Sequence, residues 1–371
     1  MGRRITFVTI ALLLLISIVI SGCQPSAPAP APATKSTPTP AAPAEPIKLK
    51  WSHGVPPGTV FQKAAFEPWA KTIKERTTAI GKPVEITFYP GGALAKLYEQ
   101  YNLLVSGGAD IVSNWGPAHF PGRMPLSEVM DLPLLFSSSA HAGLVAEELF
   151  QTRPEIQKEF SEAKVIGFHP TAPSQINSRE KQIKVLEDIK GLRTHVRGGP
   201  DANMIKALGA VPASMQMPEV YEALQRGVVD VGLLNWEGVS SFKWFEATKA
   251  RTQLPKGLYI NFIVVSMNWN KYKSLPPDVQ KIFDEVSGPY LTKLATEAMD
   301  NADALNLTNI IAYDKKTGNP ELYKMPADEF QRWIDAETPL YDTWLKDTSA
   351  KGLPAKSILD DVQRLAKKYA K

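Results

Sequence analysis

Apolar residues in the first half of the chain recur at two spacings that alternate along the sequence. Between 61 and 77 they lie one helical turn apart, which predicts a helix, and between 84 and 92 they alternate with polar residues before Pro-Gly-Gly, which predicts a strand. A helix closed by glycines at 94–108 and a short strand at 109–116 follow. The apolar positions of the first helix are Phe61, Ala65, Trp69 and Ile73. The order β-α-β-α-β predicts an α/β layer around a mainly parallel sheet.

The same order returns in the second half of the chain. Strands are predicted at 164–170 and 192–197, and a helix at 200–210 has Pro near its start and Gly209 near its end. A further helix at 218–227 leads into a strand at 228–236. We therefore expect a second α/β unit of the same kind as the first.

One unit of sequence occurs twice, about 120 residues apart. The segments YNLLVSGGADIVSNWG (101–116) and YEALQRGVVDVGLLNWEG (221–238) align on Asp110 and Asp230, and each ends in an Asn-Trp pair. In α/β sheets, ligands bind beside the loops at the carboxyl ends of the strands. Two lobes that face each other would place both Asn-Trp pairs at one cleft. We read the two aspartates as strand-start residues that hold the preceding turn, not as a catalytic pair.

The last third of the chain has a different pattern. A β-rich stretch at 258–272 is long enough to pass back to the first lobe, and a mostly helical pattern at 276–311 is interrupted near Ser287-Gly288-Pro289. Amphipathic helices end the chain. This connectivity predicts a hinged clamshell with a long helix that links the lobes. The predicted boundaries are lobe I at 48–172 plus about 261–298, and lobe II with the C-terminal helices at 173–260 plus about 299–371.

The N-terminal residues have the order of a secretory signal. Arg3 and Arg4 precede an apolar run, and Ile20-Ser21-Gly22-Cys23 resembles the lipobox of bacterial lipoproteins, in which the cysteine is lipidated after cleavage. We predict a lipoprotein signal peptide at 1–23 and a Pro/Ala-rich tether at 24–47. The protein would then be anchored on the periplasmic or cell-surface side of a bacterial membrane. An uncleaved membrane span is the alternative.

Composition narrows the classes of function. The formal net charge is +4, or +2 without Arg3 and Arg4, and no basic run is interleaved with aromatic residues, so we predict no nucleic-acid partner. Cys23 is the only cysteine, which excludes a disulfide framework. The usual hydrolase, zinc-protease and dinucleotide motifs do not occur, and the five histidines lack metal-ligand spacing. We predict no catalytic residue, metal or cofactor, and a secreted α/β enzyme is the less favoured alternative.

Four segments carry a resemblance to a known family. They are FYPGGALAKLYEQYNLLVSGGADIV, DLPLLF, LEDIKGLRTHVRGGPDANMIKALGAVPASMQMPEVYEALQRGVVD and VVSMNWNKYKSLPPDVQKIFDE. The chain resembles the solute-binding proteins of tripartite ATP-independent periplasmic (TRAP) transporters, of the dicarboxylate-binding type, from about residue 48 to 287. The resemblance implies a monomeric, class II-like periplasmic-binding-protein clamshell. It would close over a small solute, usually an organic acid, and deliver it to a membrane permease. The binding component of an ABC importer or of a sensory system, with a non-carboxylate ligand, is the alternative.

The resemblance also points to a departure at the expected anchor. Family members carry an arginine that clamps the ligand carboxylate at the position of His195, and many carry a second arginine at the position of Gln175. A histidine offers one directed donor and only partial charge near neutral pH. Arg193 and Arg197 alternate with His195, so in a strand all three share a face and either arginine could supply the charge. A carboxylate ligand is therefore expected, with a non-carboxylate ligand left open.

The remaining candidates follow from their positions at strand ends. They are Trp51, His53, Asn114, Trp115, Asn235, Trp236 and Glu237. Three tryptophans at one cleft would suit a flat aromatic or apolar ligand body. Each tryptophan could equally belong to the core, and Glu237 could be a latch between the lobes. Closure would follow from contacts that the ligand makes with the second lobe only in the closed form.

Overall fold

The computed structural model describes residues 45–370, except for the side chains at positions 114, 199 and 200. The predicted signal peptide, Cys23 and most of the tether lie outside the described residues. In chain order the strands are β1 Ile47–Ser52, β2 Val84–Tyr89, β3 Ile111–Trp115, β4 Ala163–Phe168, β5 Gln175–Ser178, β6 Arg193–Val196, β7 Val211–Ser214, β8 Val231–Leu234, β9 Ala250–Gln253, β10 Val264–Asn268 and β11 Tyr323–Lys324. The α-helices are α1 Glu67–Ala79, α2 Gln100–Val105, α3 Ser139–Thr152, α4 Pro154–Glu159, α5 Gly199–Ala207, α6 Met217–Gln225, α7 Trp236–Ser241, α8 Trp244–Ala247, α9 Trp269–Ser274, α10 Pro277–Val286, α11 Pro289–Thr317, α12 Ala327–Glu337, α13 Pro339–Ser349 and α14 Ala355–Tyr369.

These strands form two sheets. The first has the order β2-β1-β3-β10-β4 and the second the order β11-β9-β5-β8-β6-β7. In each sheet one strand runs against its neighbours: β10 is antiparallel to β3 and β4, and β5 is antiparallel to β8 and β9. The other pairs are parallel. The prediction of a two-lobed α/β fold with mainly parallel sheets is therefore confirmed.

The apolar face of the first predicted helix packs onto the first sheet. Its first turn, Phe61–Phe66, is a π-helical turn that continues into α1. Trp69 and Ile73 are fully buried against the core around Trp51, and the Trp69 indole N–H donates to the Val286 carbonyl at 2.6 Å. Burying each of these large side chains stabilises the fold by about 2 kcal/mol. The helical spacing of apolar residues in the sequence therefore corresponds to the buried face of this helix.

The duplicated unit joins neighbouring β-strands in both sheets. Asp110 and Asp230 each lie immediately before a strand and exchange two hydrogen bonds with the neighbouring strand. Asp110 Oδ2 accepts from the Lys50 amide at 2.7 Å, and Asp230 Oδ2 accepts from the Arg193 amide at 3.0 Å. The preceding turns need positive φ, which Gly107 (78°) and Gly227 (68°) supply without steric cost. Each copy therefore fixes the register of a β-strand pair.

Two chain segments join the sheets side by side. Residues 169–174 lead from β4 to β5 and residues 254–263 lead from β9 to β10, and they pair through hydrogen bonds such as Thr171 N to Asn261 O at 3.0 Å. We call these paired segments the crossover ribbon. The predicted lobe boundaries, 172/173 and 260/261, fall within it and stay a prediction. The β-rich stretch expected at 258–272 consists of part of this ribbon, β10 and the start of α9.

The helix α11 contacts the cores of both sheets. Near its start Leu291, Ala295 and Met299 pack in the core of the first sheet, and Ile310 packs among residues of the second. The break predicted near residues 287–289 lies between α10 and α11. The prediction of a long linking helix is confirmed. None of the helices within residues 45–370 is long and apolar enough to cross a bilayer.

Candidate functional site

A cavity lies where the loops of the two sheets meet the crossover ribbon. It contains about 630 Å³ of space between side chains, including solvent at its mouth. Its walls come from the loops after β1, β3, β6 and β8, which are the carboxyl ends of parallel strands, as expected for α/β sheets. The lining residues are Val55, Thr59, Phe61, Leu97, Tyr98, His119, Thr171, Arg197, Met217, Leu234, Asn235, Glu237, Gly238, Ser241, Phe242, Asn261 and Ile263.

Much of this lining is apolar. Side chains from both sheets and from the crossover ribbon contribute, namely Val55, Phe61, Leu97, Met217, Leu234, Phe242 and Ile263. An apolar wall with a few fixed polar groups favours a ligand that has a hydrophobic body and a polar end.

Arg197 provides a buried cation in this wall. It follows the end of β6, and its side chain is 3% exposed. The Asp201 carboxylate holds one edge of the guanidinium, with Nε to Oδ2 at 2.6 Å and Nη2 to Oδ1 at 2.7 Å, and the Tyr259 ring lies 4.7 Å from Cζ. Burial disfavours the charged form, but Asp201 and Tyr259 outweigh this effect and raise the pKa of Arg197 above its usual range. Arg197 is therefore a permanent cation in a fixed orientation.

The far edge of the same guanidinium retains donor capacity. Nη1 lies 3.6 Å from Asp131 Oδ1, which is an ion pair but too long for a hydrogen bond. Burial raises the pKa of Asp131 to about 7, against the lowering effect of Arg197, so this carboxyl is only partly ionised near neutral pH. Asp131 also accepts from the Phe262 amide at 3.2 Å, which holds it against the crossover ribbon. An oxyanion in the cavity could thus take the Nη1 donors.

Tyr98 and His119 form a second polar pair beside Arg197. Their rings lie 4.5 Å apart, and the Tyr98 hydroxyl and His119 Nδ1 have no hydrogen-bond partner within the described residues. Burial lowers the pKa of His119 to about 3, with a further contribution from Arg197, and burial raises the pKa of Tyr98 to about 12. Both side chains are therefore neutral at pH 7 and are free to bond a ligand.

A third polar group comes from the loop after β8 and the start of α7. Asn235 Nδ2 and the Glu237 amide both donate to Asp303 Oδ1 at 2.9 Å, and the Ser241 hydroxyl donates to Glu237 Oε1 at 2.6 Å. Burial raises the pKa of Glu237 and, to about 6, that of Asp303. These contacts hold the Asn235 and Glu237 side chains in place at the cavity wall.

Three of the residues predicted from the sequence line this cavity: Arg197, Asn235 and Glu237. The side chain of Asn114, another predicted residue, lies outside the described residues. Arg197 reaches the cavity because it stands just beyond the last residue of β6, where the strict alternation of a strand no longer applies.

The other predicted residues on the second sheet lie outside the cavity lining, which corrects the expectation for them. His195 Nε2 bonds the Met215 carbonyl at 3.2 Å and its ring packs on Trp244, and burial lowers the pKa of His195 to about 4. Gln175 Oε1 accepts from the Leu254 amide at 2.7 Å. Arg193 pairs with Asp230 on the surface. His195 is therefore a buried side chain whose neutral form is favoured near neutral pH.

The three predicted tryptophans and His53 do not line this cavity. Trp51 and Trp115 are fully buried in the cores of the first sheet, and Trp236 is 2% exposed in a core of the second. His53 is fully buried near Phe66. Their indole and imidazole rings fill space between helices and sheets, as large aromatic side chains usually do.

Several lining residues did not follow from the sequence patterns we used. His119 could have been found, because it lies four residues after the end of β3 and so at a strand's carboxyl end. Tyr98, Thr171 and Asn261 carry no such signal, since they reach the cavity through a loop and through the crossover ribbon. Within the described residues no cluster of side chains could hold a metal ion. The arrangement is suited to binding a small molecule.

Comparison with known proteins agrees with this geometry. The model of the bacterial extracellular solute-binding proteins, family 7, matches residues 51–347. The C4-dicarboxylate-binding periplasmic protein DctP of Rhodobacter capsulatus is 27% identical over 325 residues, which cover 84% of this chain and 90% of that protein.

Two solved TRAP solute-binding proteins have closely similar folds. One, from Rhodoferax ferrireducens, was solved with copurified benzoate (TM-score 0.80, 26% identity, covering 87% of this chain and 98% of that one). The other, from a marine metagenome, is specific for aromatic acid ligands and was solved with 3-hydroxybenzoate (TM-score 0.81, 26% identity, 88% and 100% covered). With its two-sheet fold, its cavity at the strand ends and a family match over most of its length, this chain belongs to the family 7 extracellular solute-binding proteins, the solute receptors of TRAP transporters.

Proposed function

We propose that this receptor binds a monocarboxylate with an aromatic or otherwise apolar body and delivers it to its membrane permease. The observation that carries the proposal is Arg197, a buried cation at the wall of a largely apolar cavity. A ligand with a carboxylate at one end and a ring at the other matches both features.

Arg197 can take the place of the arginine that the family resemblance led us to expect at His195. Asp201 occupies the Nε and Nη2 side, so the guanidinium is oriented before any ligand arrives. The Nη1 donors remain for the ligand carboxylate, which would compete only with the weakly placed Asp131. A pre-oriented guanidinium binds a carboxylate more tightly because less rotamer freedom is lost on binding.

The ligands of the similar proteins support the carboxylate and the ring separately. Benzoate and 3-hydroxybenzoate are aromatic monocarboxylates, and the Rhodobacter protein is named for C4-dicarboxylates. All three contain a carboxylate, and the largely apolar lining here favours the aromatic class. Closure would follow because the ligand contacts Arg197 and Glu237 on one side of the cavity and Phe61 and Leu97 on the other.

Calorimetric titration of residues 45–371 with benzoate tests the proposal. Arg197→Gln is expected to weaken binding by at least tenfold, because a charge-assisted hydrogen bond is lost. Arg193→Gln is the matched control, since this surface arginine pairs with Asp230 away from the cavity. Thermal unfolding of both unliganded variants checks that they fold. Wild-type affinity in Arg197→Gln would remove Arg197 from the site.

We further propose that the mature protein is lipid-anchored through Cys23. The proposal rests on the segment Ile20-Ser21-Gly22-Cys23 after an apolar run, and on the Pro/Ala-rich residues that follow it. Growth with an alkyne-labelled fatty acid should label the full chain, and Cys23→Ser should abolish the label. Equal labelling of the variant would refute the anchor.

A further inference from the structure

We propose that Glu237 selects ligands that carry a hydrogen-bond donor, such as a hydroxyl or amino group, at the end away from the carboxylate, and that it excludes a second carboxylate there. This inference rests on the proposed function, because it assumes that the first carboxylate binds Arg197. It narrows the ligand class to hydroxy- or amino-substituted monocarboxylates.

The carboxyl group of Glu237 is held at the cavity wall by a hydrogen bond. The Ser241 hydroxyl donates to Oε1 at 2.6 Å. The main chain of Glu237 is fixed by its amide N–H, which donates to Asp303 Oδ1 at 2.9 Å. A carboxyl group can accept more than one hydrogen bond, so this single donor leaves acceptor capacity for a ligand. A donor on the ligand would thus meet an acceptor that is already in position.

The electrostatic surroundings of Glu237 are negative. No ion pair involves Glu237 within residues 45–370, and the neighbouring charge that acts on it is the Asp303 carboxyl, which together with burial raises the pKa of Glu237. In a buried site that contains two carboxyl groups and no cation, a further anion is costly because it loses its hydration and gains no opposite charge. A ligand with a second carboxylate would bring a like charge into a site of low dielectric constant.

Glu237 and Arg197 belong to separate polar clusters of the same cavity. The Arg197 guanidinium contacts Asp201, Asp131 and the Tyr259 ring. The Glu237 carboxyl accepts from Ser241, and the Glu237 amide donates to Asp303. A ligand anchored at Arg197 would therefore present its far end, rather than its carboxylate, to Glu237. Because of this separation, Arg197 can bind an anionic group at one end of the ligand while Glu237 disfavours an anionic group at the other end.

The test uses ligands that differ at a single ring position. Wild-type protein and Glu237→Gln are titrated calorimetrically with benzoate, the 3- and 4-hydroxybenzoates, and the corresponding benzene-1,3- and 1,4-dicarboxylates. Wild type should bind one hydroxybenzoate at least tenfold more tightly than benzoate and should bind both dicarboxylates at least tenfold more weakly. In Glu237→Gln the ratio of hydroxybenzoate affinity to benzoate affinity should fall by about tenfold, and the ratio of dicarboxylate affinity to benzoate affinity should rise by about tenfold.

Glu222→Gln is the matched control, because this glutamate is exposed on α6 and pairs with Arg226. It should leave every affinity unchanged. Two results would overturn the inference. One is a folded Glu237→Gln variant whose affinity ratios between these ligands equal those of the wild type. The other is wild-type protein that binds the dicarboxylates as tightly as benzoate. Wild-type protein that binds none of the five ligands would instead overturn the proposed function.

Discussion

At the scale of single residues, position relative to the strand end separates His195 from Arg197. His195 lies within β6 and faces the core, where Met215 and Trp244 surround it. Arg197 lies one residue beyond the strand, where the backbone can turn the side chain toward the cavity. Two positions along the chain thus separate a core residue from a residue that lines the cavity.

His195→Ala is expected to lower stability without changing ligand affinity. The side chain is 1% exposed, so its removal leaves a cavity and an unpaired Met215 carbonyl, with an expected cost of about 2–3 kcal/mol. Urea unfolding measures the loss, and titration with benzoate measures affinity. A tenfold loss of affinity at unchanged stability would show that His195 takes part in ligand binding.

Asp131→Asn is expected to change how stability depends on pH. The pKa of Asp131 is raised to about 7, so between pH 4 and 7 the folded protein holds a proton that the unfolded chain has released. Asp131 therefore contributes a loss of stability of up to about 1.4 kcal/mol per pH unit as pH rises through this window, and the asparagine variant lacks this contribution. Urea unfolding at pH 5, 6, 7 and 8 compares them. Parallel profiles would show that Asp131 does not titrate there.

At the scale of elements, α11 is the connection that reaches both cores. Its last part is tied to β9 by the Arg251–Asp314 ion pair, with Nε to Oδ2 at 3.1 Å, in which both side chains are at most 5% exposed. Breaking a buried pair leaves an uncompensated charge, which costs far more than breaking an exposed one. This pair therefore fixes the end of the helix on the second sheet.

Asp314→Ala should destabilise the protein by about 3 kcal/mol. The control on the same helix is Glu297→Ala, which removes an exposed partner of Lys293 and should cost about 0.5 kcal/mol or less. Thermal and urea unfolding of both variants give the comparison. Equal costs would mean that solvent reaches Arg251 when Asp314 is absent.

At the scale of the whole molecule, the loop after β3 lies against the loop after β6. A Cβ atom at Gly198 would lie 3.2 Å from the Ala118 carbonyl oxygen, which is tighter than ordinary contact. Gly198 has an extended φ of −170°, which any residue adopts, so a larger residue there is opposed by this contact and not by the backbone. A clamshell that opens would separate the two loops.

Gly198→Val should therefore weaken ligand binding by about fivefold or more while leaving the unliganded melting temperature nearly unchanged, because overpacking would act only in the closed form. Saturating ligand at 100 times its dissociation constant adds about 2.7 kcal/mol of stability in either protein. A lowered melting temperature without ligand would show that the two loops already touch in the resting state.

The sequence by itself determined the alternation of helices and strands and the two-lobed fold. These features depend on local rules, namely helical or alternating apolar spacing and glycines at positive φ. The bonds of Asp110 and Asp230 to strands far away in the sequence were decided by the tertiary structure. The position of Arg197 near the site could also be anticipated, because it follows a strand that leads to the cleft.

Only the tertiary structure decided which candidates face the cavity. The duplicated unit places Trp115 and Trp236 at corresponding positions, each directly after an asparagine. Both tryptophans are buried in cores, whereas the neighbouring Asn235 lines the cavity. Tyr98, His119 and Asn261 come together from three distant segments that no local pattern connects. The physical reason is that a side chain at a strand end is buried or exposed according to how remote helices pack over it, and those contacts form only when the whole chain has folded.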